Sequence, residues 1–217
     1  MVEMLVFDVD GTLFDTLPGI YDALEEVFEK YSVGFFDRAN GMRFIGPPIK
    51  ESLKKYEGLS DTLAENATLY YREVYVEKHI AKSSLYDGVL ELIADLKKEG
   101  YGISIATMKT RNQVERLLDV TTVDKQLFDF VETALDNGDN NKSEMLTKIK
   151  SESGNDFLVM IGDTEGDRKA AEEAQVKFIG VTYGYGFRPD KKYDFPVVNN
   201  VDELSAAIKG LSKGINE

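Results

Sequence analysis

The strongest constraint on this chain is a rhythm of short, unbroken apolar runs separated by longer amphipathic stretches. Met4 to Val9, Gly102 to Ala106, Phe157 to Ile161 and Lys177 to Val181 are compact and rich in Val, Ile, Leu and Phe. A strand without polar alternation has both faces covered, which is the condition of a parallel sheet. The stretches between the runs carry helical spacing. Val89, Ile93 and Leu96 form one stripe, closed by Lys97, Lys98 and Gly100. Val114, Leu117 and Leu118 form a second, and Met145, Leu146 and Ile149 a third. Ala170, Ala171 and Ala174 mark a closely packing helix, and Leu204 with Ile208 a last one. Such repetition predicts a doubly wound, Rossmann-like α/β domain with a parallel sheet.

One stretch breaks the rhythm. Residues 15–83 read mainly as helix. Ile20, Leu24, Val27, Phe28 and Tyr31 share one face, and Leu63, Ala67, Tyr70 or Tyr71, and Val74 share another. Gly46-Pro47-Pro48 separates them, with Pro48 placed to open a helix from Ile49 to Tyr56. The expected organisation is an α/β core of residues 1–14 and 84–217 with residues 15–83 inserted as an α-helical cap. Asp15-Thr16 and the Ser83-Ser84 region are its expected hinges. Phe35, Phe36, Tyr70, Tyr71 and Tyr75 are expected to pack the helices together.

Composition then limits the chemistry. Twenty-six basic against thirty-nine acidic residues give a net charge of −13, which disfavours nucleic acid polymers and anionic membranes as partners. A local basic pocket for a small phosphate remains open. The absence of cysteine removes disulfides, a thiolate nucleophile and Cys-based metal centres. A single histidine, His79, argues against a Ser-His-Asp triad or a multi-histidine metal site, and packing near the end of a cap helix is its expected role. The N-terminus lacks a signal-peptide pattern, and no run reaches the ~18 apolar residues of a membrane span. A cytoplasmic protein is expected. Carboxylates, lysines and hydroxyls must carry any reaction.

The first run ends Phe7-Asp8-Val9-Asp10-Gly11-Thr12, which puts two carboxylates at the strand end where open α/β sheets bind ligands. A calcium loop is disfavoured, because Thr12-Leu13-Phe14 offers no further ligands at the required spacing. Three later strand ends supply complementary groups. The second run leads to Thr107-Met108-Lys109. Lys142 opens a helix after the polar loop Asp136-Asn-Gly-Asp-Asn-Asn. The run ending at Ile161 leads to Gly162-Asp163-Thr164-Glu165-Gly166-Asp167.

This ordered set resembles the haloacid dehalogenase superfamily, in its aspartate-dependent phosphatase branch, over nearly the whole chain. The resemblance implies that Asp8 is a nucleophile forming an aspartyl-phosphate, and that Asp10 serves first as acid and then as base. It implies a magnesium ion held by Asp8, Asp163 and the main-chain carbonyl of Asp10. Thr107 and the Met108 N–H would bind a phosphoryl oxygen, Lys142 would supply positive charge, and Asp167 would orient Lys142 or metal-bound water. Asp10 separates the chain from dehalogenases, which lack that second carboxylate. Residues 15–21 hold no histidine of the kind found in the related phosphomutases, and none of Lys50, Lys54 and Lys55 is marked as a Schiff-base lysine of the phosphonatase kind. Receiver domains are shorter, lack an inserted cap and place their acceptor Asp later. Phe44-Ile45-Gly46-Pro47-Pro48 and Tyr183-Gly-Tyr185-Gly look like the phosphoglycolate phosphatase and bacterial 5′-nucleotidase group. Two departures stand out: Met108 replaces the usual Asn or Ser, and Ser143 follows Lys142 in place of proline. The implied partner is a small soluble phosphomonoester, most like phosphoglycolate, with nucleotides or sugar phosphates as alternatives. Arg43 and Lys109 are candidates for a substrate carboxylate or second phosphate.

Overall fold

The computed structural model describes residues 4–135 and 141–213. The polar run expected as a loop before Lys142 lies, at 136–140, outside the described residues. Six parallel strands make the main sheet: β1 (Met4–Phe7), β4 (Gly102–Thr110), β5 (Phe130–Ala134), β6 (Leu158–Gly162), β7 (Lys177–Val181) and β8 (Val197–Val198). Their order is β5-β4-β1-β6-β7-β8. From the central β1 the chain builds outward through β4 and β5, then crosses to β6 on the other side. That reversal is a topological switch point, where side chains leaving adjacent strand ends converge. β1 is buried along its whole length, which accounts for its unbroken apolar run. Helices α4 (Val89–Lys98), α5 (Arg111–Val120), α6 (Lys142–Ser153), α7 (Glu165–Glu173) and α8 (Val201–Lys213) flank the sheet. The α/β class expected from the sequence is the observed one.

Two strands of the main sheet have no counterpart in the sequence reading. β5 is a half-buried edge strand with Glu132 at its centre, so it lacks the apolar run of a central strand. β8 is only two residues long. The strand end also moves at β4, which runs on to Thr110 and shifts register against β5 between Thr107 and Thr110. Such an irregularity re-aims side chains at a strand end.

Between β1 and α4 the chain leaves and re-enters the sheet layer side by side. β2 (Phe14–Asp15) and β3 (Ser84–Leu85) pair antiparallel, Phe14 opposite Leu85 and Asp15 opposite Ser84. The helical insertion between them comprises α1 (Leu17–Lys30), α2 (Ile49–Glu57), α3 (Asp61–Val74) and a π-turn at Tyr75–His79. Its interior is aromatic: Phe28, Phe36 and Phe44 are buried and meet edge to face or tilted, with centroids 5.1–5.8 Å apart. Burying each such ring contributes about 1.5–3 kcal/mol. Two expectations fail here. Phe35 is 89% exposed, because its neighbour Phe36 takes the inward position. α3 buries Ala64, Ala67, Thr68, Tyr71 and Val74, a face that leaves Leu63 exposed and selects Tyr71 over Tyr70. His79 packs against α1 and meets Glu26 at 2.7 Å.

Candidate active site

The carboxyl ends of β1, β4 and β6 and the first turns of α6 and α7 meet at one place. Asp8 follows β1 directly, and its N–H donates to Ile161 O on β6 at 2.9 Å, so it leaves the sheet in register with its neighbours. Gly11 then turns the chain at φ +77°. A side chain there would strike the Asp163 carboxylate, so this turn requires glycine for space as well as for conformation. Asp163 follows β6 and is fully buried. It accepts from Thr12 Oγ1 at 3.3 Å and from the Tyr185 N–H at 2.7 Å.

Lys142 stands in the first turn of α6, whose N-cap Asn141 and Glu144 form a reciprocal capping box. Its ammonium meets Asp8 Oδ1 at 2.9 Å and donates to Asp167 Oδ1. Asp167 is in turn fixed by Thr164, the N-cap of α7, whose N–H and Oγ1 both donate to Asp167 Oδ2 at 3.0 and 2.7 Å. The Thr-x-x-Asp spacing is a capping signal legible in sequence, yet here the same carboxylate also grips a lysine. Lys142, Asp8 and Asp167 are therefore interlocked and buried.

Asp10 faces elsewhere. Its carboxylate accepts from Thr16 Oγ1 and pairs with Lys109 Nζ at 3.0 Å. Lys109 is buried and also donates to Tyr75 Oη at 3.1 Å, lying 4.4 Å from that ring's centroid. Thr107 is buried, and its Oγ1 accepts from the Lys109 N–H at 3.3 Å; Met108 beside it is half-buried. Arg43 is drawn away: it pairs with Glu57 at 2.6 Å and flanks the rings of Phe44 and Tyr56. Among the described residues no bond links it to the carboxylates. The sequence reading assigns no site role to Thr12, Thr16, Tyr75 or Tyr185; the partners of Thr12, Tyr75 and Tyr185 are distant in sequence.

Burial dominates the electrostatics. It pushes the Asp8 carboxyl up to about 7, against the pull of Lys142, with Asp167 and Asp10 adding to the rise. Burial, then the neighbouring Asp167 and Asp8, likewise raises Asp163. For Lys142 burial favours the neutral amine, but the fields of Asp167 and Asp8 outweigh it and the net shift is upward. Asp8, Asp163 and Asp167 each present a ligand oxygen, all within 4.8 Å of one another. Three buried carboxylates against one ammonium leave a deficit of positive charge, and an all-oxygen donor set of this kind fits a hard divalent cation. Asp10 offers its side chain to Lys109 rather than to this group.

A family model described as haloacid dehalogenase-like hydrolase matches residues 5–181, spanning all four strand ends. The chain belongs to this family. Pyrophosphatase PpaX of Bacillus velezensis is 33% identical over 186 residues, covering 84% of each chain. Tyrosine-protein kinase PtkA of Mycobacterium tuberculosis is 28% identical over 213 residues, covering 95% of this chain and 72% of that one. The crystal structure of a predicted phosphatase from Clostridium acetobutylicum superposes with a TM-score of 0.87 at 28% identity, covering 97% of this chain and 99% of that one. This haloacid dehalogenase-like hydrolase is an enzyme of phosphatase type. None of its described helices is long and apolar enough to cross a membrane.

Proposed function

We propose that the protein is a magnesium-dependent phosphatase that hydrolyses a small phosphomonoester through a phosphoryl group carried on Asp8. The observation that carries this reading is the interlocked set of Asp8, Lys142 and Asp167 beside Asp163. A phosphomonoester repels nucleophiles, so its charge must be met before a carboxylate can approach. Asp8 and Asp163, with the main-chain carbonyl of Asp10, would hold the metal beside Asp167, and the metal when bound supplies charge neutralisation and screens Asp8 from the phosphoryl oxygens. Lys142 supplies a second positive charge, and Thr107 with the Met108 N–H supplies hydrogen-bond donors. Asp8 attacks phosphorus; the P–O bond to the leaving group breaks, and Asp10 gives that oxygen a proton. Asp10 then removes a proton from the water that cleaves the Asp8–phosphorus linkage, releasing inorganic phosphate. Asp167 positions Lys142 through its two bonds to Thr164.

In this reading residues 15–83 form a cap domain over a core of residues 1–14 and 84–217, and closure excludes water from the first half-reaction. Phosphoglycolate is the substrate favoured by the sequence resemblance. A second reading, inorganic diphosphate, is favoured by the 33% identity to PpaX. Phosphate release should be assayed with phosphoglycolate, nucleoside monophosphates, sugar phosphates and diphosphate, with and without magnesium. The expected result is magnesium-dependent release from one class at a rate far above the rest. Equal release without magnesium would overturn the metal assignment.

A further inference from the structure

The phenol of Tyr185 lies between two parts of the molecule that no motif connects. On its main-chain side, the Tyr185 N–H donates to Asp163 Oδ2 at 2.7 Å. On its side-chain end, Oη accepts from the N–H groups of Thr16 at 2.7 Å and Leu17 at 3.1 Å and donates to Asp15 Oδ1 at 2.9 Å. Asp15 to Leu17 is where the chain passes from β2 into α1. One residue thus holds a carboxylate of the charged cluster and the entry to the helical insertion.

The start of α1 depends on this contact. A helix leaves its first N–H groups unpaired unless a cap accepts them. Thr16, the N-cap, makes no side-chain cap bond, because its hydroxyl is turned to Asp10, and the first turn carries no acidic residue. The Thr16 N–H finds its acceptor in Tyr185 Oη, 169 residues away, and the Leu17 N–H is shared between Tyr185 Oη at 3.1 Å and Asp15 Oδ1 at 3.2 Å. The phenol thus accepts two bonds from the chain entering α1 and donates one to Asp15.

The loop carrying Tyr185 is built to transmit displacement. Gly184 packs so tightly on Gly11 O and the Asp163 side chain that a Cβ would overlap both, and Gly186 does the same against the Asp163 and Thr164 backbone. The Phe187 N–H donates to Asp163 O at 2.9 Å, and Tyr183 Oη donates to Thr12 O at 3.3 Å while its ring meets Tyr86 at 5.0 Å. Residues 183–187 thus wrap Asp163, and close-packed groups pass on a shift rather than absorb it.

We propose that Tyr185 is a positioning residue that couples cation occupancy at Asp163 to the order of the hinge at Asp15–Leu17. The coupling rests on the metal reading above, and by linkage it runs both ways: fixing the hinge raises cation affinity by the factor that the cation fixes the hinge.

The test measures amide exchange at Thr16 and Leu17, residue by residue, with magnesium binding followed by calorimetry on the same samples. In the wild type, magnesium alone should slow exchange at these amides by about 5-fold or more, the lower range of such couplings. Y185F keeps the ring and removes the hydroxyl; it should still bind magnesium, but with protection below about twofold. Y183F, which removes the other phenol of the same loop, should keep the wild-type response. A merely structural cap would speed exchange in Y185F equally with and without magnesium, and that result would overturn the proposal. So would wild-type protection retained in Y185F. Magnesium binding without protection in the wild type overturns the coupling alone, whereas failure to bind at all overturns the metal reading with it. Should Y185F not fold, D15A removes the phenol's acceptor instead; because it also removes the bond from the Leu17 N–H to Asp15, the loss of protection is read at Thr16.

Discussion

Two buried lysines stand at the same end of the sheet and are held in different ways. Lys142 contacts Asp8 after β1 and Asp167 in α7, so every partner belongs to the strand-and-helix layers. Lys109 contacts Asp10 after β1 and Tyr75 in the helical insertion. The first pairing is complete without the insertion, and the second requires it. Charge burial makes this difference matter, because an ammonium removed from water must find its partners in fixed geometry. The Lys142 corner is therefore the preformed end of the site, and the Lys109 corner is where the site depends on how the insertion sits.

K142M should have the largest effect. It strands Asp8 and Asp167 without their cation, which should cost about 3–5 kcal/mol in denaturant unfolding. Phosphate release should fall by about 10²–10³-fold. K109M should cost less, about 1–3 kcal/mol, because Asp10 keeps the Thr16 hydroxyl and is one-fifth exposed. A loss in K109M equal to that in K142M would break the comparison. Y75F sharpens it: the ring stays while the hydrogen bond from Lys109 at 3.1 Å and the longer contact with Ser83 at 3.5 Å go, so about 1 kcal/mol is expected.

The smallest effect belongs to the outer face of the insertion, where Arg38 pairs with Asp22 and Glu25. Its hydrogen bonds hold Glu25 below the usual carboxylate range. For Asp22, burial pulls upward but Lys82 and Arg38 outweigh it and the net shift is downward. A depressed folded pKa contributes stability above the unfolded value, about 4, and that stability is lost as pH falls through the folded value. R38A should therefore be less stable than wild type by about 0.2–1 kcal/mol near neutrality, with the gap closing below pH 4 in acid titrations.

The parts of the molecule legible in sequence are those fixed by local pattern. β1, β6 and β7 are unbroken apolar runs because both faces are covered, and the ends of β1 and β6 announce Asp8 and Asp163. β5 is not legible in the same way, because an edge strand with Glu132 at its centre carries no such run. Long-range pairing was closed to inspection for a different reason. Thr12 meets Asp163 from 151 residues away, Tyr75 meets Lys109 from 34, and Tyr185 reaches the start of α1 from 169. Such contacts are set by how elements pack, and spacing along the chain holds no trace of them. Arg43 illustrates the converse: a guanidinium beside a Gly-Pro-Pro break fits a substrate contact on sequence alone, yet it pairs with Glu57.

The central claim is that the phosphoryl group passes through Asp8. Single-turnover reaction with a phosphate-labelled substrate that the enzyme hydrolyses, stopped by acid and divided into an untreated and a borohydride-treated half, reads this directly, since an aspartyl-phosphate is reduced to homoserine with loss of its phosphate. In the wild type, label is expected on the peptide containing Asp8 in the untreated half and homoserine at position 8 in the reduced half; D8N should show neither. Phosphate release with no labelled chain, or label retained in D8N, would contradict the claim.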